Sequence, residues 1–367
     1  MNYLRFLITF LLILCESIIV GQNSNLKFEK GYSIPGKEIM KEYVDIWSLK
    51  VTDTLIIAAL TSDEFYFAIY APTNQKEIMR IAKQGNGPNE FNNGLSYYGQ
   101  FTNEKKQIKI WVKGTNSNKL SLINVSKSID TKETIIEKEI KYGPDAEFSS
   151  VFVIDSTKIV GRTYNSIPKM YRLKIYNPTT NKTIKTVPLF PIVKNDNRNL
   201  QFIFYRYNFL YTSSLTMKSD KTKFASAMTM FNRVDIFDAN GNLLNSYIDK
   251  DNISKSQIRN YLSSTEENLI NLDVKNYYMD AWSTNDFIYT LYHNQKQADY
   301  SKKSIPVKIR IFNWNAEPMC EINVPDYLTT FTVDEKNGIM YGVAYFDEKI
   351  FKYDISSILD EIKTGSK

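Results

Sequence analysis

Short apolar runs alternate with polar turns along almost the whole chain, and few stretches carry the spacing of an amphipathic helix. One unit recurs, a polar turn followed by an apolar strand. It reads Thr52-Asp53-Thr54 before Leu55-Ile56-Ile57, Glu104 to Gln107 before Ile108-Lys109-Ile110, and Asp155 to Lys158 before Ile159-Val160. It returns as Asp220 to Lys223 before Phe224-Ala225, Thr284 to Asp286 before Phe287 to Tyr289, and Glu335 to Gly338 before Ile339 to Tyr341. The leading strand residues, Leu55, Ile108, Ile159, Phe224, Phe287 and Ile339, stand 51 to 65 residues apart. A second column keeps the same register: Tyr70-Ala71, Ile123-Asn124, Tyr176-Asn177, Phe237-Asp238, Phe312-Asn313 and Tyr353-Asp354 each end a strand and open a turn. Five of these lead into a further strand. The sixth leads only into Ile355 to Lys367, where Ile355, Ile358, Leu359 and Ile362 have helical spacing, while a spare strand, Leu26 to Ile34, precedes the first unit.

Six units of four short strands predict an all-β chain, a six-bladed β-propeller with four-stranded antiparallel blades. The spare strand is expected to pair with the last blade and close the ring, which would seal the fold without a disulfide. The predicted blades are 40–84, 94–140, 147–190, 200–248, 274–324, and 325–355 completed by 26–34, all in one domain spanning 22–367. A helical insertion is expected at about 252–272, where Ser254 and Gln257 have capping-box spacing and Ile253 is placed to staple onto Ile258.

Residues 1–21 do not belong to that pattern. Arg5, the apolar run Phe6 to Leu14, and a polar stretch from Gln22 form the layout of a secretory signal peptide, which predicts export to the periplasm, the cell surface or the medium. The run is about half the roughly 20 residues of a spanning helix, so no transmembrane span is expected. Acylation at Cys15, as in a bacterial lipoprotein, is the competing reading; bulky Leu14 before it and apolar Ile18 to Val20 after it argue against it. With 25 Tyr and 21 Phe against 14 Gly and 11 Pro in 367 residues, the chain can build a packed core, which excludes collagenous and disordered classes. After the leader only Cys320 remains, expected as a small buried residue in a strand. A single histidine, His293, and two cysteines exclude zinc clusters and Cys/His or Ser-His-Asp catalysis by shortage of residue types. His293 falls in the polar stretch Leu291 to Ser304 and reads as an exposed loop residue. The net charge of +6 is spread thinly with no long basic block, so no nucleic-acid partner is expected.

Between the first two units stands Gly85-Asn86-Gly87-Pro88-Asn89-Glu90-Phe91, echoed by Gly143-Pro144-Asp145-Ala146-Glu147-Phe148. This loop resembles the Gly-x-Gly-Pro-x-Glu-Phe loop that follows the first blade in the exported TolB-like six-bladed propeller proteins of Bacteroidetes. Asn86 and Asn89 stand where that family more often has small or basic residues. The resemblance implies fold and compartment rather than activity, because the family is largely uncharacterised. Read from its own residues, the loop is structural: Gly85 and Gly87 permit unusual φ, Pro88 fixes its own, and Glu90 with Phe91 caps the turn and seals the joint between blades. An anion cradle is the alternative, weakened by the lack of a following helix and of a Lys-Ser/Thr pair.

A further repeat, Tyr-x-Asp-x-Trp-Ser, opens the first and fifth units as Tyr43 to Ser48 and Tyr278 to Ser283. Strand alternation would put Asp45 with Trp47, and Asp280 with Trp282, on one face each. If that face is inward, these four are candidate channel-lining ligand-binding residues, suited to a sugar or a cation. The competing reading packs each Trp between blades and bonds each Asp to a neighbour's amides. No catalytic or metal-ligating residue is assigned and no cofactor is expected. The function that fits is an exported, non-catalytic recognition propeller, expected as a monomer, for a glycan, a peptide or an envelope protein. A metal-dependent propeller hydrolase or lyase, which would need calcium held by ligands from separate blades, is the first alternative. A structural subunit of an envelope complex is the second.

Overall fold

The computed structural model describes residues 22–23, 26–41, 45–163 without Asp53, Ser62, Asp63, Asn93 and Asn116, then 171–189, 206–263, 274–296, 299 and 306–365. Residues 1–21, with the expected signal peptide and Cys15, lie outside them. Three short strands come first: β1 (Gln22–Asn23), β2 (Gly31–Ser33) and β3 (Lys37–Ile39). Six sheets follow in chain order. Blade 1 is β4 (Ile46–Val51), β5 (Ile56–Leu60), β6 (Phe65–Tyr70) and β7 (Glu77–Lys83). Blade 2 is β8 (Leu95–Glu104), β9 (Gln107–Gly114), β10 (Lys119–Asn124) and β11 (Ile136–Lys141). Blade 3 is β12 (Phe148–Asp155), β13 (Lys158–Thr163), β14 (Tyr171–Asn177) and β15 (Lys182–Pro188). Blade 4 is β16 (Ser213–Met217), β17 (Lys223–Met228), β18 (Arg233–Asp238) and β19 (Leu243–Ile248). Blade 5 is β20 (Lys275–Ser283), β21 (Phe287–Lys296), β22 (Val307–Asn313) and β23 (Pro318–Val324). Blade 6 is β24 (Thr330–Asp334), β25 (Ile339–Ala344) and β26 (Lys349–Asp354), with β3 as its fourth strand.

The sequence of each strand matches its radial place. The middle strands of blade 1 bury both faces, with Ile56 to Ala59 and Phe67 to Tyr70 almost fully enclosed. The outer strand β11 reads Ile-Glu-Lys-Glu-Ile-Lys, and its charged residues face water, which keeps that edge from recruiting another strand. The apolar core is divided among the joints between blades. Phe67 and Ile69 of blade 1 pack with Tyr97 and Ile110 of blade 2, and Val160 and Ile175 of blade 3 with Leu215 and Phe224 of blade 4. Buried charge adds register. Arg172 of blade 3 reaches Asp235 of blade 4 at 2.5 Å, and Arg233 approaches the other carboxylate oxygen at 2.6 Å. Burial opposes the ionised carboxyl, yet the two guanidiniums hold Asp235 below the usual carboxylate range.

The ring closes by an N-terminal strand, but not by the expected one. Residues 37–39 pair antiparallel with β26, matching Ile39 to Ile350 and Lys37 to Lys352. The segment 26–34 lies elsewhere: β2 runs parallel along β23 as a fifth strand of blade 5, and β1 runs parallel along β19 as a fifth strand of blade 4. Phe28 lies between those blades, against Tyr247 at 5.7 Å, Phe312 at 5.2 Å and the Arg310 guanidinium at 4.8 Å. The Pro35-Gly36 break lets the N-terminal strap leave blade 5 and turn into blade 6.

Helices punctuate the sheets, three of them described from end to end. α1 (Val125–Thr131) sits between β10 and β11, capped by the Asn124 side chain, which accepts from the Lys127 amide at 2.9 Å. α2 (Lys255–Ser263) carries the expected capping box, with Gln257 N–H donating to Ser254 Oγ at 3.2 Å and Ser254 N–H to Gln257 Oε1 at 3.0 Å. The rest of that insertion, 264–272, lies outside the described residues. α3 (Ser356–Gly365) buries Ile358, Leu359 and Ile362, together with Ile355 just before it, against the joint of blades 5 and 6. No helix among the described residues is long and apolar enough to cross a membrane.

Candidate functional site

The first strand of each blade lines the axis, and the two copies of the Asp-x-Trp repeat stand on or just before the first strands of blades 1 and 5. Asp45 precedes β4 in a left-handed conformation (φ 73°), where strand alternation does not hold. Its carbonyl accepts from the amide and hydroxyl of Thr61 at 2.9 and 3.1 Å, and its side chain is exposed. A bulge follows between Ile46 and Ser48, and Trp47 is 42% exposed. The second copy points inward. Asp280 accepts from Lys50 Nζ at 3.1 Å, Thr330 Oγ1 at 2.5 Å and the Phe331 amide at 3.3 Å. Lys50 also donates to the Phe331 carbonyl at 3.1 Å and lies 5.5 Å from the Trp282 ring centre. Trp282 is 5% exposed, and its Nε1 donates to the Val333 carbonyl at 2.9 Å.

Trp282 therefore spans the axis. On its far side stands Gly99 of blade 2 at φ 85°, where an added Cβ would fall 2.4 Å from the indole. Blades 1, 2, 5 and 6 thus meet at one indole, with a lysine-carboxylate pair beside it. Among the described residues no hydrogen bond, ion pair or ring contact joins Asp45 or Trp47 to Asp280 or Trp282. Beyond the indole, on the face carrying the turns between first and second strands, opens a cavity of about 310 Å³. Its wall includes Ser283, Thr284 and Asp286 of blade 5 and Asp334, Glu335 and Lys336 of blade 6. Glu335 is the hub: Thr284 Oγ1 donates to it, Tyr289 OH donates at 3.2 Å, and Lys363 of α3 pairs with it at 2.8 Å. Lys363 also lies 3.9 Å from Asp286. Desolvation, reinforced by Glu335, holds the Tyr289 phenol far above its ordinary pKa, so it remains a donor.

The glycine loop is filled by its own glutamate. Glu90 Oε2 accepts from the Gly87 amide at 2.7 Å, and a Cβ at Gly85 (φ 154°) would fall 2.1 Å from that oxygen. Phe91 is buried in the joint between blades 1 and 2, its amide donating to the Lys83 carbonyl at 2.9 Å. A bound anion would meet that carboxylate, so the loop is a joint rather than a cradle. The profile of the TolB-like 6-blade propeller-like family matches residues 39–336. The chain belongs to this family. No curated protein matches it. Among solved structures, a DUF4221 family member from Bacteroides vulgatus shares 15% identity, aligned over 90% of this chain and 98% of its own, with a TM-score of 0.56. The hydrazine synthase of Kuenenia stuttgartiensis follows at 12% identity, 90% and 82% coverage and a TM-score of 0.45. The WD40 repeats of RRP9 give 8%, 90% and 100%, and 0.43. At 15% identity the likeness to the Bacteroides vulgatus protein is one of fold alone.

Within this TolB-like frame several candidate-site residues escaped sequence reasoning. Lys50, Gly99 and Lys363 belong to no motif, and only the ring brings them together. His293 was misread: β21 continues to Lys296, and His293 is buried, with Nε2 3.0 Å from the Leu328 carbonyl. Desolvation pulls its pKa down to about 4, so it stays neutral. Cys320 is fully buried in β23, and burial pushes its thiol up to about 12. Among the described residues no group of three or more His, Cys, Asp or Glu side chains could hold a metal ion.

Proposed function

We propose that this TolB-like propeller is an exported recognition protein that holds a glycan or peptide, free or part of an envelope protein, at the channel mouth without transforming it. The observation that carries the reading is the cavity itself, about 310 Å³ and walled by residues from neighbouring blades and α3. Its hydroxyl, amide, carboxylate and ammonium groups mix both signs of charge, which suits a polar ligand of low net charge better than a polyanion. The Glu335 carboxylate is already engaged by Thr284, Tyr289 and Lys363, which supports positioning rather than proton transfer. Export rests on the leader-like segment at 1–21 and on the family's layout.

The test is a glycan and peptide array probed with the mature chain, followed by calorimetry on the strongest binder. Binding should weaken at least tenfold in Glu335→Gln and Asp286→Asn, with the melting temperature held within a few degrees. Turnover of a lactone or polysaccharide that disappears on chelation would overturn the reading in favour of a metal-dependent hydrolase or lyase.

A further inference from the structure

A smaller cavity of about 30 Å³ adjoins the channel mouth, and Phe101, Ser219, Trp282 and Ser283 line both. This annex reaches blades 2, 3 and 4 through Gln100, Phe152 and Lys221. The two spaces differ in charge. The mouth carries both signs, from Asp286, Asp334, Glu335, Lys336 and Lys363. Among the described residues the annex is lined by Lys218 and Lys221 and by no acidic side chain.

The uncharged polar side chains deep in the annex are already satisfied. Gln100 Nε2 donates to the Val153 carbonyl at 2.6 Å while its Oε1 accepts from the Val153 amide at 2.7 Å. The Thr216 and Ser283 hydroxyls bond each other at 2.7 Å, and Ser283 Oγ donates on to the Met217 carbonyl at 2.9 Å. Lys218 Nζ is paired with Asp220 at 2.9 Å, and Asp220 also accepts from the Thr222 amide and hydroxyl at 2.9 and 2.6 Å. Lys221 is different. Its amide closes the turn by donating to the Lys218 carbonyl at 2.8 Å, but its ammonium has no hydrogen bond or ion pair among the described residues. One uncompensated positive charge beside so small a space suits a singly charged group of a few heavy atoms, a carboxylate rather than a doubly charged phosphate. Tyr98, Phe101, Phe152 and Trp282 surround it with aromatic surface, which suits the C–H faces of a sugar ring. In the adjoining mouth the exposed Asp286 and Lys336 can accept from and donate to hydroxyl groups.

We propose that the annex selects a sugar carboxylate: a single uronic acid residue in an otherwise neutral glycan, with its carboxylate beside Lys221 and its hydroxyls at Asp286 and Lys336 in the mouth. Such selectivity presupposes the channel-mouth reading and specifies its ligand. Calorimetry on the mature chain tests it, with a panel of oligosaccharides that each contain one hexuronic acid and the same molecules after carboxyl reduction. Sulfated and phosphorylated sugars, and peptides with free and amidated C-termini, complete the panel. At least one acidic sugar should bind about tenfold more tightly than its reduced counterpart, the worth of one charge-assisted hydrogen bond. That difference should shrink as salt is raised. Lys221→Gln, which keeps the backbone bond of the turn, should bring the pair within about twofold of each other, with a thermal melt confirming that the variant is folded. Equal affinities for the acidic and reduced sugars, tighter binding of sulfate or phosphate esters, or a preference unmoved by Lys221→Gln overturns the proposal and leaves the channel-mouth reading standing. Binding confined to peptides does the same, even where a free C-terminus responds to Lys221→Gln. If nothing in the panel binds, both readings fall.

Discussion

Lys50 and Asp280 show why individual side chains were harder to read than the fold. Both occupy first strands, yet the bulges at Ile46/Ser48 and Tyr278/Asp280 break the two-residue period that sequence reasoning assumed. The repeat was visible; the fates of its two copies diverge because only the second has a lysine from another blade to meet. Asp280→Asn leaves that buried ammonium short of its counter-charge and should cost about 3 kcal/mol, read as a lower urea midpoint at unchanged slope. His293 supplies a cleaner titration, being the chain's one histidine. Its folded pKa of about 4 lies below the ordinary 6.5, so the unfolded chain takes up a proton that the native state refuses. Stability should therefore fall as pH drops through 6.5 and level off near 4, by about 3 kcal/mol at 1.36 kcal/mol per unit. His293→Gln should flatten that slope in pH-dependent denaturation; an unchanged slope would assign it to the carboxylates.

At the scale of elements, strands were legible because a buried strand leaves a dense apolar run, and α3 because Ile355, Ile358, Leu359 and Ile362 repeat at helical spacing. α1 was not, since Val125-Ser126-Lys127-Ser128-Ile129 is too short to show a period and rests on the Asn124 cap. The strap was misassigned for a related reason. Leu26 to Ile34 has strand character, but pairing depends on which edge is free, and three residues of Lys-Glu-Ile carry almost no pattern. Phe28 anchors the strap by ring contacts and by the Arg310 guanidinium, so Phe28→Ala should cost about 1–2 kcal/mol locally. Hydrogen exchange should show this first at the Glu321 amide, which donates to the Lys30 carbonyl at 3.0 Å, while blades 1 to 3 keep their protection.

For the molecule as a whole, closure by β3 predicts a sharp boundary in truncation. Removing residues 22–30 should leave a folded ring of lower stability, whereas removing 22–40 strips blade 6 of its fourth strand and should abolish cooperative unfolding in a thermal melt. The six-fold count could be read from spacing alone because each blade spends similar chain on similar work. The mouth could not, since its walls come from residues far apart in sequence, and α3 contributes Lys363 only once the ring exists. The strap's path has one more effect. With β1 and β2 laid along the outermost edges of blades 4 and 5, the rim there ends in strands of two and three residues, too short to template a strand from another chain.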